Sequence, residues 1–176
     1  MQSVTTKLAH TLTLSDLHRL LHNCLVSDFG CTAIALYMKQ DHGQPRFVLA
    51  EQSAQVSLPT LLLSGRLAGV LTQCAGPVET SVLADRLAHG PLATEEQELL
   101  SAPMVLWLPL HSASTLQGIL VLGPRRYEEI YTARERQLLM TLAYQAATTL
   151  HNIQLLAAVN AAHDELMEAH HQLLQA

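Results

Sequence analysis

The feature that most constrains this fold is an uninterrupted helical pattern at the carboxyl end of the chain. From Tyr131 to Ala176 the chain contains neither proline nor glycine. Thr132 and Glu135 have the T-x-x-E spacing of a capping box, and apolar residues follow at helical spacing as far as Leu150. We therefore predict one helix of up to roughly 65 Å at 1.5 Å per residue. A helix of that length extends beyond any small domain that could cover it.

Three segments ahead of this helix are apolar on both faces of a β-strand. They are residues 31–38, 104–110 and 116–123. A strand without a polar face must be covered on both sides. The first strand is followed by a turn and by a returning strand at 45–51, which favours antiparallel pairing. The predicted fold class is α+β, an α/β sandwich in which an antiparallel sheet of five or six strands carries helices on both faces.

Shorter helices are predicted before and between the strands. An amphipathic helix is predicted within residues 12–30, and we expect it to pack beside the start of the C-terminal helix on one sheet face. Residues 58–74 are predicted as a further helix, and 75–83 contain a short strand. Thr94 and Gln97 have the spacing of a second capping box, which predicts another short helix.

A regular apolar pattern continues through the last part of the C-terminal helix. Successive positions alternate spacings of four and three residues, which is the a/d register of a two-stranded coiled coil. This pattern predicts a homodimer formed by the C-terminal helices, and we expect it to be parallel because a rod that serves two identical output domains must deliver both at the same end. The predicted dimer seam consists of Leu155, Val159, Ala162, Leu166, Ala169 and Leu173.

The same helix carries histidines outside this seam. His163 is followed by Asp164 and Glu165, but no proline follows to break the helix as in a phosphoacceptor box. A metal site on one helix needs ligands three or four residues apart, whereas His163, His170 and His171 are spaced by seven and one. We interpret them as solvated histidines on a helical rod.

Composition excludes several classes of protein. Ten lysines and arginines against 15 aspartates and glutamates give a formal net charge of −5, without the basic patch of a nucleic-acid-binding protein. Cys24, Cys31 and Cys74 are odd in number and lie in apolar patterns, which favours a reducing compartment. The first residues lack the charged start and the long apolar stretch expected of a signal peptide, and no apolar run reaches the roughly 18 residues of a membrane span. We expect a cytoplasmic fragment without membrane contact.

The order of elements and one long stretch carry a family resemblance. The stretch is LPLHSASTLQGILVLGPRRYEEIYTARERQLLMTLAYQAATTLHNIQLL. It resembles the GAF domain, a small-molecule and regulatory module of signalling proteins, and the likeness extends over residues 12 to 156. The tail EAHHQLLQA is similar to connectors that precede the dimerisation helices of bacterial histidine kinases.

This resemblance implies a domain organisation and a function. It implies a GAF-like sensor domain at residues 1–156 and a coiled-coil signalling linker helix at 157–176. The function implied is regulatory small-molecule sensing in a bacterial signal-transduction protein of the histidine kinase kind. The parent chain would carry a kinase domain downstream, and signals would reach it through the C-terminal helices of a dimer.

The pocket candidates follow from the same resemblance. Cys74 and Glu79 flank the helix-to-strand junction in the middle segment, where this family usually lines its cavity. Tyr37 and Trp107 are aromatic residues on strands, positions that belong more often to the core than to a ligand site. These four residues are the candidates for binding an unknown small molecule.

Cofactors and catalysis are not expected. No cysteine is followed by histidine, as covalent bilin attachment in phytochrome-like GAF domains requires, and the motif of cyclic-nucleotide GAF domains is absent. No nucleophile, base and orienting group assemble, so we expect no catalytic residue, cofactor or metal. Two alternatives remain: a ligand-free dimerisation module whose cavity is closed by side chains, and a haem or metal sensor using His42, His89 or His111.

Overall fold

The computed structural model describes residues 13–40, 43–52, 58–62, 64–128 and 130–176. Within them the chain forms five α-helices, six β-strands and a 3-10 turn at Arg126–Glu128. The first elements in chain order are α1 (Leu14–Ser27), β1 (Ile34–Gln40), β2 (Arg46–Gln52), β3 (Leu61–Leu62), α2 (Arg66–Gln73) and β4 (Val78–Glu79). They are followed by α3 (Thr80–Leu87), α4 (Thr94–Ser101), β5 (Leu106–Ser112), β6 (Thr115–Leu122) and α5 (Ala133–Gln175).

The strands form one antiparallel sheet in the order β3-β2-β1-β6-β5-β4. Helices cover both of its faces, which confirms the predicted α+β sandwich. On one face α1 and the first half of α5 pack against leucines of β5 and β6, including Leu108 and Leu120. On the other face α2, α3 and α4 pack around Trp107 and Ile119. Successive side chains of a strand point to opposite faces of the sheet, so neighbouring residues of β5 and β6 pack into different cores. Because both faces are buried, these strands have no polar face.

Helix α5 is a single helix of 43 residues, as predicted. Thr132 is its N-cap, and both hydrogen bonds of the capping box with Glu135 are present. Its buried residues lie between Leu139 and Leu150, whereas every residue from Leu155 onward is exposed. The helix therefore begins inside the domain and ends well outside it. None of the helices in the described ranges has the combination of length and apolar character that a membrane crossing requires.

The predicted helix over residues 58–74 is wrong in its first half. Leu61 and Leu62 instead form the edge strand β3, with Phe47 and Arg46 of β2 as their partners. The helix begins only at Arg66, after Gly65 as its N-cap. Pairing with β2 is a contact between residues distant in sequence, and it outweighs the local helical periodicity of this leucine-rich segment.

The predicted capping box between Thr94 and Gln97 is also wrong. Helix α4 has Ala93 as its N-cap, so that Thr94 is already the first helical residue. The side chain of Gln97 donates instead to the carbonyl oxygen of Leu92 at 3.2 Å. A capping box requires the threonine to lie one position earlier relative to the helix, in an extended conformation.

Gly118 of β6 lies close to the backbone of β1 and to a side chain of α5. A Cβ atom at this position would lie 2.5 Å from the carbonyl oxygen of Tyr37 and 2.8 Å from Cδ2 of Leu150. The first of these atoms belongs to the backbone of a central strand and cannot move aside. Gly69, in the interior of α2, provides a contrast because a Cβ there meets nothing within 4 Å.

We predict opposite effects for the same substitution at these two glycines. Gly118→Ala forces α5 and β1 away from β6 and should lower the free energy of unfolding by about 1–3 kcal/mol. Gly69→Ala should raise it by about 0.5–1 kcal/mol, because alanine restricts the unfolded chain and favours the helix. Urea denaturation of both variants measures this, and a Gly118→Ala protein as stable as wild type would contradict the packing described.

Candidate functional site

The segment between α2 and β4 lines two depressions of the surface. Cys74 ends α2 in an extended conformation, and Gly76 and Pro77 lead the chain to β4 at the edge of the sheet. A Cβ on Gly76 would lie 3.2 Å from Sδ of Met140, so this segment runs close against α5. Two depressions lie on either side of it, one polar and one apolar.

The polar groove has a volume of about 310 Å³. It lies between the segment 73–79, helix α3 and the first turn of α5. The side chains that give it chemical character are Gln73, Cys74, Glu79, Arg86 and Arg136.

An ion pair between Glu79 and Arg136 crosses this groove. Both side chains are more than one-third exposed, so the pair is accessible to water. Arg136 also donates through Nε to the carbonyl oxygen of Tyr131 at 3.4 Å. On the other side of the groove Arg86 donates to Sγ of Cys74 at 3.5 Å. The ion pair thus joins the end of β4 to the first turn of the long helix.

The apolar cleft has a volume of about 160 Å³. Its walls include Leu108 and Pro109 of β5 together with Met140 and Tyr144 of α5. His111 lies at its margin, with Nε2 at 3.0 Å from the carbonyl oxygen of Cys74. Helix α5 therefore forms part of the wall of both depressions.

The structure brings two of the four predicted pocket residues together. Cys74 and Glu79 line the polar groove, whereas Tyr37 and Trp107 are buried in the core between the sheet and helices α2–α4. The hydroxyl of Tyr37 donates to the carbonyl oxygen of Pro59 at 2.9 Å, and burial raises the pKa of this hydroxyl. Nε1 of Trp107 donates to Oγ1 of Thr80 at 2.8 Å. Their polar atoms are therefore already satisfied within the protein.

Arg86 and Arg136 are groove residues that the sequence gives no reason to select. Each is an arginine on a helix, and such a residue is ordinarily solvated at the surface. Glu79 and Arg136 are 57 positions apart in the chain. A charge pair between distant elements has no sequence signal of its own, because it depends on how the helices pack on the sheet.

A second polar cluster also lies at the start of α5. Sγ of Cys31 lies 2.9 Å from the hydroxyl of Tyr131, and the guanidinium of Arg125 lies 5.4 Å from the centre of the Tyr131 ring. Arg125 donates to Glu135 at 3.0 Å and to the carbonyl oxygen of Phe29 at 2.9 Å. Burial raises the pKa of Cys31, which keeps this thiol protonated. The cluster anchors the helix rather than offering a reactive group.

Two of the three histidines of the haem alternative fall within the described residues. His111 is at the margin of the apolar cleft, His89 is exposed beyond the end of α3, and His42 lies outside the described residues. Across the described ranges no group of three or more His, Cys, Asp or Glu side chains is placed to hold a metal ion. That this domain carries no cofactor or metal stays a prediction.

The fold is that of GAF domains of known structure. The GAF domain of a phosphoenolpyruvate-protein phosphotransferase from Coxiella burnetii has a TM-score of 0.65 at 19% identity, covering 89% of this chain and 94% of that chain. The GAF domain of the potassium sensor histidine kinase KdpD from Escherichia coli has a TM-score of 0.57 at 19% identity, covering 90% of this chain and 95% of that chain. The protein therefore has a GAF-like fold, which confirms the resemblance seen in its sequence.

Domains of this fold occur in signalling proteins, including sensor histidine kinases. A free methionine-R-sulfoxide reductase from Neisseria meningitidis, solved with its substrate, is also similar, with a TM-score of 0.60 at 14% identity over 86% of each chain. The sequence itself matches no family model and no curated protein. One fold thus serves several functions, and function must be argued from the site.

The anchoring cluster leads to a prediction about acid stability. The backbone N–H of Thr132, its hydroxyl and Arg125 all stabilise the ionised form of Glu135, so the pKa of this carboxyl is lowered in the folded state. A lowered pKa contributes stability above the ordinary glutamate value of about 4.3, and that contribution is lost as pH falls through the lowered value. Glu135→Gln should therefore cost about 0.5–1 kcal/mol at pH 7 and progressively less below about pH 4.

Urea denaturation between pH 3 and 7 tests this expectation. Glu165→Gln, on the exposed part of α5, is the matched control, and its stability should follow that of wild type at every pH. If Glu135→Gln lowers the free energy of unfolding by the same amount at every pH down to 3, Glu135 acts through packing and not through its charge.

Proposed function

We propose that this domain is the regulatory sensor of a bacterial signal-transduction protein of the histidine kinase kind. In this proposal residues 1–156 sense a signal and residues 157–176 form a linker helix that relays it to a downstream kinase domain. Two copies act together as a parallel dimer through α5. The GAF-like fold and the sensor kinases that share it support this reading, and we assign no catalytic activity to the domain.

The observation that carries the proposal is the exposed apolar stripe on the outer part of α5. The larger seam residues, Leu155, Val159, Leu166 and Leu173, are between 51% and 76% exposed in the single chain. Apolar residues that recur at the a and d positions of a helix are the pattern of a coiled-coil seam. A second copy of the same helix is the partner that matches this pattern.

The direction of the stripe also favours a second copy. Tyr144, in the half of α5 that packs on the sheet, is 66% exposed and faces away from the core. Leu155 follows eleven residues later, which is about three turns at 3.6 residues per turn. Both residues therefore lie on the same face of the helix. A partner helix can follow this face without meeting the sheet or the other helices.

The free energy of association expected for the seam is small enough for a signal to change how the two helices pack. Each leucine moved from water into the interface contributes roughly 1.5–3 kcal/mol. Ala162 and Ala169 contribute much less because their side chains are small. A dimer held by a few leucine pairs can be repacked by a signal worth a few kcal/mol, which is the scale of ordinary ligand effects.

The state of the cysteines supports a cytoplasmic location. Cys24, Cys31 and Cys74 are all free and buried. Burial together with Asp28 raises the pKa of Cys24 to about 11, so that this thiol is protonated at neutral pH. Unpaired thiols of this kind are typical of proteins in a reducing compartment.

A ligand-free dimerisation module is the second candidate. Large side chains such as Leu67, Leu71, Leu83 and Trp107 are at most 1% exposed and pack between the sheet and helices α2–α4. This packing favours a domain whose interior holds no ligand. The two candidates differ because only a sensor changes its dimer equilibrium when a small molecule binds.

We predict that sedimentation equilibrium will find a dimer at micromolar concentration. A chain truncated after Leu156 should be monomeric because the seam is removed. Leu166→Glu should also be monomeric, since it places two like charges within the seam. His171→Glu adds the same charge to the opposite side of the same helix and should leave the dimer intact.

The orientation of the two helices is tested by cross-linking. In a parallel dimer two copies of Leu173→Cys meet across the seam and should oxidise rapidly to a disulfide, whereas an antiparallel pair holds them at opposite ends of the rod. If the full chain, the truncated chain and Leu166→Glu are all monomeric at high micromolar concentration, the proposed relay fails. Failure of the Leu173→Cys disulfide in a confirmed dimer would exclude the parallel arrangement.

A further inference from the structure

We propose that the polar groove binds a small organic anion through Arg86 and Arg136, and that the anion competes with Glu79 for Arg136. This inference rests on the proposed sensor function and names the class of its signal, a small molecule carrying a carboxylate or phosphate oxyanion. The groove, its two arginines and the contact with α5 carry the argument.

The charge of the groove is opposite to that of the protein. The chain has a formal net charge of −5, yet the charged side chains that line the groove are two arginines and one glutamate. Two arginines elsewhere in the domain are engaged within the protein: Arg66 donates to three backbone carbonyls, and Arg125 pairs with Glu135. In the described ranges Arg86 forms no ion pair, and its hydrogen bond is to the thiol of Cys74. The guanidinium of Arg86 is therefore a positive charge in the groove that is not paired with a carboxylate.

The chemistry of the lining matches an oxyanion. Guanidinium groups present parallel N–H donors that fit the two oxygens of a carboxylate or of a phosphate. Gln73 adds a side-chain amide at the same groove, and Pro77 and Val82 add small apolar surfaces. A volume of about 310 Å³ is at the lower end of the range of ligand pockets, roughly 300–1,000 Å³. A ligand of a few carbon atoms bearing one or two anionic groups fits these limits.

The position of Arg136 connects the groove to the signalling helix. Arg136 lies in the first turn of α5, and Glu79 lies where β4 meets α3. An anion that pairs with Arg136 displaces Glu79. The direct ion pair between the sheet edge and the start of α5 is then replaced by a contact through the ligand. A ligand shifts a conformational equilibrium only through different contacts in the two states, and this exchange supplies such a difference.

Binding is tested on the full chain with two defined probes, sodium malonate and sodium phosphate. Each is titrated into isotopically labelled protein while amide NMR spectra are recorded, with sodium chloride at matched ionic strength as the reference. We expect saturable shifts confined to residues 73–79 and to the backbone around Arg86 and Arg136. Saturation by malonate identifies a carboxylate ligand, and saturation by phosphate alone identifies a phosphorylated one.

Matched variants locate the site. Arg86→Gln is on an exposed position that should not disturb folding, and it should weaken binding at least tenfold. Arg134→Gln removes an exposed arginine from the same turn of α5 as Arg136 and should leave binding unchanged. Glu79→Gln removes the competing carboxylate and should tighten binding several-fold, whereas Glu98→Gln, on α4, should have no effect.

The coupling to α5 has its own measurement. Saturating malonate, or phosphate if that is the ligand, should change the dimer dissociation constant of the full chain in sedimentation experiments. The change should be absent in Arg136→Gln, whose fold is checked by circular dichroism. No change in wild type overturns the coupling.

The groove and the dimer relay can fail separately. The groove proposal is overturned if neither anion gives saturable shifts beyond those of chloride, or if Arg134→Gln weakens binding as much as Arg86→Gln. A protein that dimerises through α5 without binding either anion would leave the relay standing. A protein that binds an anion in the groove but never dimerises would retain the site and lose the proposed function.

Discussion

Burial of the first half of α5 against β5 and β6 is the contact on which the rest of the structure depends. It covers one face of the sheet together with α1, and it requires Gly118, because any side chain there would meet the backbone of Tyr37. The same contact fixes the rotation of the helix about its axis. Once the leucines from Leu139 to Leu150 face the sheet, the opposite side of α5 must face solvent along its whole length. The exposed stripe beyond Leu155 continues that side.

Local signals allowed much of the fold to be predicted from sequence, and distant contacts account for the errors. The capping box at Thr132 and Glu135 is formed by residues three apart, so it can be recognised without knowing the rest of the structure. The strands were recognisable because both of their faces are apolar. The helix predicted over 58–74 failed because Leu61 and Leu62 pair with a strand far from them in sequence. The spacing of Thr94 and Gln97 was misleading because spacing alone does not define which residue is the N-cap.

The candidate site was predicted only in part for a related reason. Cys74 and Glu79 were identified by their place in the order of elements, which a shared fold preserves. Their partners Arg86 and Arg136 were not, because a groove is defined by side chains from separate helices that meet only after folding. Trp107, an aromatic candidate on a strand, lies in the core, where its Nε1 donates to Oγ1 of Thr80.

If ligand binding in the groove is to control the dimer, the free energy of the exchange in the groove must be comparable with the free energy of repacking the seam. The pair between Glu79 and Arg136 is more than one-third exposed, and such pairs contribute about 0.2–1 kcal/mol. Exchanging this pair for a bound anion cannot repack a long seam built entirely from leucine. In the proposed dimer Ala162 and Ala169 alternate with larger residues, and each alanine weakens the association of the two helices. The small residues therefore lower the free energy that a bound anion must supply, beyond that of the ion pair it displaces, to repack the seam.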